Sequence, residues 1–308
     1  MATTVEEIGA KMDALGLWEA IVPYNWALRP CGHAVPYFCS VLKDANPKVR
    51  VRFLLLEGWQ TFHDFVRTRV DHAYGFYSTP MEFAHYELLV CANAGARLYR
   101  HDPGYVPQEV RGGEAEALCC KLLWEAYGVM LRIESDRSLA LQFADEKAMF
   151  SRLEGADGKW TDAPLVIPSP RPHVEHVSLE KELVRRAKDL PIVRERVLEV
   201  DFRLCPGVIT REARPRCAYR FVALEPTTGE RALDLTRSVE REGGLRGLWE
   251  SLAQLLLKSF VERGQVPGEV KVVSPRTFRM LRPLCLELPF KLSLHDRLER
   301  LEAAFRAE

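Results

Sequence analysis

The 308-residue chain has no surplus of charge: 43 Lys plus Arg balance 43 Asp plus Glu, for a formal net charge of zero. A surface dedicated to nucleic acid carries a basic excess that neutralises phosphates, so here any basic patch has to be local. Long apolar runs are also missing, and no stretch reaches the roughly 20 residues that span a bilayer as a helix. The opening Met1-Ala-Thr-Thr-Val-Glu-Glu7 lacks a cationic segment followed by an apolar one, so no secretory leader is read there. The eight cysteines, at 31, 39, 91, 119, 120, 205, 217 and 285, include no Cys-x-x-Cys pair. Most lie in apolar runs, where a thiol behaves as a small buried hydrophobe. The expectation is a reduced, cytoplasmic protein with no membrane partner. No Gly-x-Ser-x-Gly, P-loop or Gly-x-Gly-x-x-Gly is present, which removes the commonest hydrolase and nucleotide-binding signatures.

What is present is ordinary globular material, 47% apolar and 28% charged. The length is near twice that of a typical domain. The proline-rich stretch Pro164-Leu-Val-Ile-Pro-Ser-Pro-Arg-Pro-His173 reads as an extended connector, because its prolines forbid helix and remove ladder donors. A short charged helix follows, ended by Pro191. The chain is therefore divided into a mixed α/β domain at 1–163, a connector with a short helix at 164–192, and a C-terminal domain at 193–308.

In the first part, 37–42 and 49–56 read as two strands of a hairpin, with helical periods at 58–70 and 114–131. In the last part, strands are expected at 197–204, 217–224 and 231–235. A helix at 245–262 follows, capped by Gly264, then a strand at 270–273. A short helix at 275–282 closes on Pro283, a strand covers 290–292, and Ser293-Leu-His-Asp296 is read as a capping box for the final helix. Three hairpin strands followed by βα alternation specify a mixed five-stranded sheet covered by helices, so the fold class is α/β (α+β). Gly104-Tyr-Val-Pro-Gln-Glu-Val110 recurs as Gly264-Gln-Val-Pro-Gly-Glu-Val270, a local echo with five of seven positions identical.

That element order, with Gly-Gln-Val-Pro-Gly-Glu-Val-Lys-Val-Val-Ser-Pro-Arg-Thr-Phe and Leu-Cys-Leu-Glu-Leu-Pro-Phe-Lys-Leu, resembles the ribonuclease H-like fold of ribonucleases H, integrases and transposases. The chain as a whole is similar to a family of uncharacterised bacterial proteins. The nuclease resemblance implies carboxylates that gather two Mg²⁺ ions. Asp201 fits the first position, Glu250 a helix-borne acid, and Asp296 or Glu299 the last. Ser274 stands where the second acid belongs and carries no charge for a hard cation. The reading is a non-catalytic scaffold or binding module with no cofactor and an unknown partner, a protein being favoured over nucleic acid. The alternatives are a Mg²⁺-dependent nuclease using Asp201, Glu250 and Asp296 or Glu299, and a regulator holding nucleic acid through Arg211, Arg214, Arg216 and Arg220.

Other groupings are read as structural. Arg276, Arg279 and Arg282 recur at a spacing of three and solvate a face. His173-Val-Glu-His176 sits beside prolines, which disfavour the helix that would bring its ends together. Cys31-Gly-His33 with Cys39 lacks a fourth zinc ligand, so no metal site is expected. Cys119-Cys120 is read as inert, and Trp59, Trp124, Trp160 and Trp249 as core or interface.

Overall fold

The structure, a computed structural model, describes residues 4–16, 24–42, 49–73, 83–91, 95–142, 147–169, 177–209, 214–239 and 244–306. The chain forms two compact units. Met1–Val66, Phe83–Asp102 and Pro107–Arg171 make the first; Arg67–Glu82, Pro103–Val106 and Pro172–Glu308 make the second.

The first unit is built on eight strands: β1 (Asn25–Arg29), β2 (Tyr37–Leu42), β3 (Val49–Glu57), β4 (His85–Cys91), β5 (Gly95–His101), β6 (Gln108–Glu109), β7 (Ala148–Glu154) and β8 (Trp160–Val166). Their order is β6-β5-β4-β3-β2-β1-β7-β8. The strands β1 to β6 form an antiparallel meander, and β7 joins β1 in parallel. Strand periodicity of two sorts the side chains. Val51, Phe53 and Leu55 of β3 face one core, with Cys39, Leu88, Leu98, helix α1 (Val5–Leu15) and helix α3 (Gly113–Ser135). Leu54 and Leu56 face the other, with Phe38, Phe62, Phe65 and Phe83, the first two Phe stacking at 4.4 Å beside helix α2 (Gly58–Ala73). The apolar run at 53–56 is continuous because β3 is buried on both faces. Helix α1 starts at a capping box in which Thr4 and Glu7 bond each other's backbone N–H. It packs so closely on β5 that a Cβ at Gly9 would collide with that of Ala96.

The second unit holds β9 (Ile192–Ile209), β10 (Cys217–Leu224), β11 (Arg231–Ser238), β12 (Val266–Val272) and β13 (Lys291–Leu294), in the order β11-β10-β9-β12-β13. The first three pair antiparallel; β12 lies parallel to β9, and β13 parallel to β12. Leu198, Val200 and Phe202 turn to a core with helices α4 (Lys181–Lys188), α5 (Gly244–Glu250), α6 (Leu252–Arg263) and α7 (Pro275–Glu287). Val222 and Leu224 turn to a smaller core beneath helix α8 (Glu299–Arg306), which contributes Leu301 and Phe305.

Several expectations need correction. The helix read at 245–262 is two helices, divided at Ser251, whose hydroxyl donates to the Leu248 carbonyl at 2.7 Å. Pro283 does not close α7, which runs on to Glu287 with the proline inside. The lost hydrogen bond and clash cost about 3 kcal/mol, and fully buried Leu281 and Leu284 offset this at about 2 kcal/mol each. Ser293 opens no helix: it lies in β13 and donates to Glu269 at 2.8 Å, and α8 begins only at Glu299. Pro164 belongs to β8, the outermost strand of its sheet, where a missing ladder donor is tolerated. In the second unit β9 starts at Ile192, five residues before the expected strand at 197.

Candidate functional sites

The position of the missing acid is occupied by a helix cap. Ser274 ends the approach to α7 in extended backbone, and its hydroxyl accepts from the Thr277 N–H at 3.3 Å. Asp201, on β9, is 2% exposed and so is closed off from solvent. Its carboxylate takes a hydrogen bond from Arg203 at 2.6 Å and from the Thr277 hydroxyl at 3.4 Å. Arg203 also reaches Glu302 at 2.5 Å. Burial pushes the Asp201 carboxyl above its ordinary range even beside this guanidinium. Burial alone would lower Arg203, but Glu302 and Asp201 outweigh it and hold the guanidinium more basic.

Neighbouring residues extend this ion network across the same face. Glu199 accepts from the Leu301 N–H at 3.1 Å. Arg220, 3% exposed, grips Asp234 at 2.7 and 2.8 Å and donates to the Ala304 carbonyl at 3.2 Å. Phe305 stacks over both guanidiniums, at 4.6 Å from Arg203 and 5.9 Å from Arg220.

The remaining nuclease-type acids lie elsewhere. Glu250 sits on α5, whose Leu245 and Trp249 enter the core on the opposite face of the sheet from Asp201, and it pairs with Arg246 at 2.8 Å. Asp296, three residues before α8, and Glu299, its first residue, are both exposed. None of the four joins a cluster of three metal-ligating side chains among the described residues. Of the arginines, Arg211 lies outside the described residues. Arg214 is exposed and stacks on Tyr105 at 4.1 Å, and Arg216 donates to the Val239 carbonyl at 2.5 Å. Arg220 is buried in the network just described, so it offers no donor to a phosphate at the surface.

Other groupings resolve simply. Cys31 is exposed while Cys39 is fully buried in the first core. Burial pushes the Cys119 thiol up to about 12. His173 and His176 lie outside the described residues. Trp59 packs on Phe38 at 4.6 Å, Trp249 on Phe202 at 4.5 Å, and Trp160 joins the first core, while Trp124 is 43% exposed. No helix among the described residues is long and apolar enough to cross a membrane.

Among the described residues, the densest grouping of ligand-type side chains is one that the sequence reading missed. His85 and Glu87 alternate on β4 and share a face, and His101 on β5 is the register partner of His85. The three residues are 0%, 2% and 3% exposed. Their imidazole and carboxylate ligand atoms all lie within 4.8 Å of one another. The two imidazoles stack at 4.3 Å with an interplanar angle of 14°. Glu87 Oε2 is 2.6 Å from His101 Nε2, and Glu87 Oε1 is bonded by Arg52 Nε. His85 Nδ1 lies 2.9 Å from the Phe83 carbonyl, which fixes its proton there and leaves Nε2 with a lone pair. Burial, with His101 second, lowers His85 to about 3. Burial would raise Glu87, but His101 and Arg52 bring it down to about 2. The visible signal was the triplet His85-Tyr-Glu87 itself, since alternate residues of a strand project to one side. The partner 14 residues beyond Glu87 becomes apparent only from the register.

Residues 183–307 match the family described as Domain of unknown function (DUF6930), so the C-terminal segment is similar to a family without an assigned activity. No curated protein and no solved structure matches the chain.

Proposed function

We propose that the second unit is a ribonuclease H-like module that binds a partner without cutting nucleic acid. The order β11-β10-β9-β12-β13, with the first three strands antiparallel and the last two parallel to β9, supports the fold assignment. The observation that carries the non-catalytic reading is the engagement of Asp201 by Arg203 at 2.6 Å. A two-metal nuclease needs ionised carboxylates turned toward Mg²⁺. Here the first acid is buried and paired with a guanidinium, and the second position is a neutral serine that caps α7. Binding then belongs to the outer surface, and the zero net charge favours a protein partner over nucleic acid.

Calorimetry of the full chain with Mg²⁺ and Mn²⁺ tests this. The expected result is no saturable heat with Mg²⁺, and no Mn²⁺ heat that depends on Asp201. Micromolar binding that disappears in Asp201→Ala would overturn the reading in favour of the nuclease. Salt-sensitive retention of DNA or RNA that is lost on replacing Arg214 and Arg216 would overturn the choice of a protein partner.

A further inference from the structure

We infer that His85, Glu87 and His101 form a binding site for a first-row divalent transition metal of the zinc class. Two imidazole nitrogens and one carboxylate oxygen are the donor set such ions take, and hard Mg²⁺ or Ca²⁺ prefer oxygen alone. In the tetrahedral geometry such ions favour, ligand atoms bound at about 2.0–2.2 Å lie about 3.3–3.6 Å from each other. The present atoms, all within 4.8 Å of one another, reach that spacing by side-chain adjustments of up to about 1.5 Å.

Three features single this cluster out from an ordinary buried salt link. The backbone carbonyl of Phe83 takes the Nδ1 proton of His85 at 2.9 Å, the outer-shell contact that orients a ligating imidazole. Arg52 holds Glu87 Oε1 and leaves Oε2 facing the histidines, so the carboxylate is kept in its ligating, ionised form. His85 Nε2 and His101 Nδ1 are buried with no hydrogen-bond partner among the described residues. An Arg52–Glu87–His101 link by itself would leave the His85 nitrogen unsatisfied, which is costly in a dry interior. A metal ion satisfies it directly. Three protein ligands leave a fourth position for water or a small donor.

The test uses the full chain, stripped by a chelator and then titrated with Zn²⁺ by calorimetry, with Co²⁺ as a visible-absorption probe and Mg²⁺ as control. The expected result is one Zn²⁺ per chain at about micromolar affinity or tighter, a Co²⁺ spectrum of low-symmetry coordination, and no Mg²⁺ heat. Glu87→Gln and His85→Ala should each weaken Zn²⁺ by about 100-fold or more, and Arg52→Gln by about 10-fold or more. Because a buried variant can misfold, the Co²⁺ spectrum of the unmodified chain decides independently. Absence of that spectrum in a folded sample, or stoichiometric Zn²⁺ binding unchanged in folded Glu87→Gln and His85→Ala, would overturn the assignment.

Discussion

Each unit buries a polar cluster against one face of its sheet, and the two clusters differ in how they are closed. In the second unit every carboxylate of the cluster has a strong donor: Asp201 and Glu302 share Arg203, Asp234 has Arg220, and Glu199 has the Leu301 N–H. In the first, Glu87 is similarly held by Arg52, but buried imidazole nitrogens stand open beside it. A closed network fixes a helix onto a sheet and has no capacity left for an ion. An open one has unmet bonding and therefore an affinity. Electrostatic content alone does not distinguish structure from function; the unsatisfied atoms do.

Removing the cation of the closed network has the largest expected effect. Arg203→Ala leaves Asp201 buried and unpaired and should cost about 3–5 kcal/mol, read from denaturant unfolding. The double variant Asp201→Leu, Arg203→Met should recover most of that loss, since apolar replacement of a whole buried pair is often neutral. A loss below about 1 kcal/mol in the single variant would mean that the pair behaves as a surface one.

A second contrast lies in the repeated heptapeptide. Gly104 and Gly264 both adopt left-handed backbone, with φ of 81° and 67°, so the shared glycine is a conformational requirement. The copies differ at two positions, Tyr105 against Gln265 and Gln108 against Gly268. Gln108 lies exposed on the outermost strand β6, whereas a Cβ at Gly268 would strike the backbone of Arg194, at the register shift between β12 and β9. Gly268→Ala should cost about 1–3 kcal/mol, and Gln108→Ala should stay within about 0.5 kcal/mol, both by thermal unfolding.

A smaller effect tests the residue that replaced the acid. Ser274→Ala removes the cap of α7 and should cost about 1 kcal/mol, while Ser274→Asp keeps the cap and restores a carboxylate. If the closed network excludes metal as argued, the Asp variant gains no Mg²⁺ heat. The smallest effect is a pH dependence. The guanidinium of Arg220 holds Asp234 below the usual carboxylate range, and that of Arg203 does the same for Glu302. A lowered folded value gives stability that is complete above the ordinary carboxylate range near pH 4 and lost as pH falls through the folded values. The difference in melting temperature between the unmodified chain and Asp234→Asn should therefore shrink on acidification below about pH 4.

Much of the second unit was legible because its signals are local. Turn residues separate β10 from β11, Gly264 caps α6, and Leu252, Leu256 and Phe260 keep helical period. The breaks in that reading, at Ser251, Pro283 and Ser293, are places where a side-chain hydrogen bond or a buried leucine overrode a local rule. The strands β4 and β5 went unread: 88–91 is a short apolar run whose length fits either helix or strand, and the alternating pattern of 96–101 is interrupted by Arg and His. With those strands unassigned, His85 and His101 were two scattered histidines.

By itself the sequence determined the charge balance, the hairpin strands at 37–42 and 49–56 and the alternation of strands and helices in the last third. It also determined that Ser274 carries no charge. Each of these depends on composition or on contacts within a few residues. Only the tertiary structure decided that Arg203 neutralises Asp201 and that a register pairing stacks His101 on His85. Those depend on which strands pair and in what register, which is settled by burying whole faces and is not encoded in any one segment.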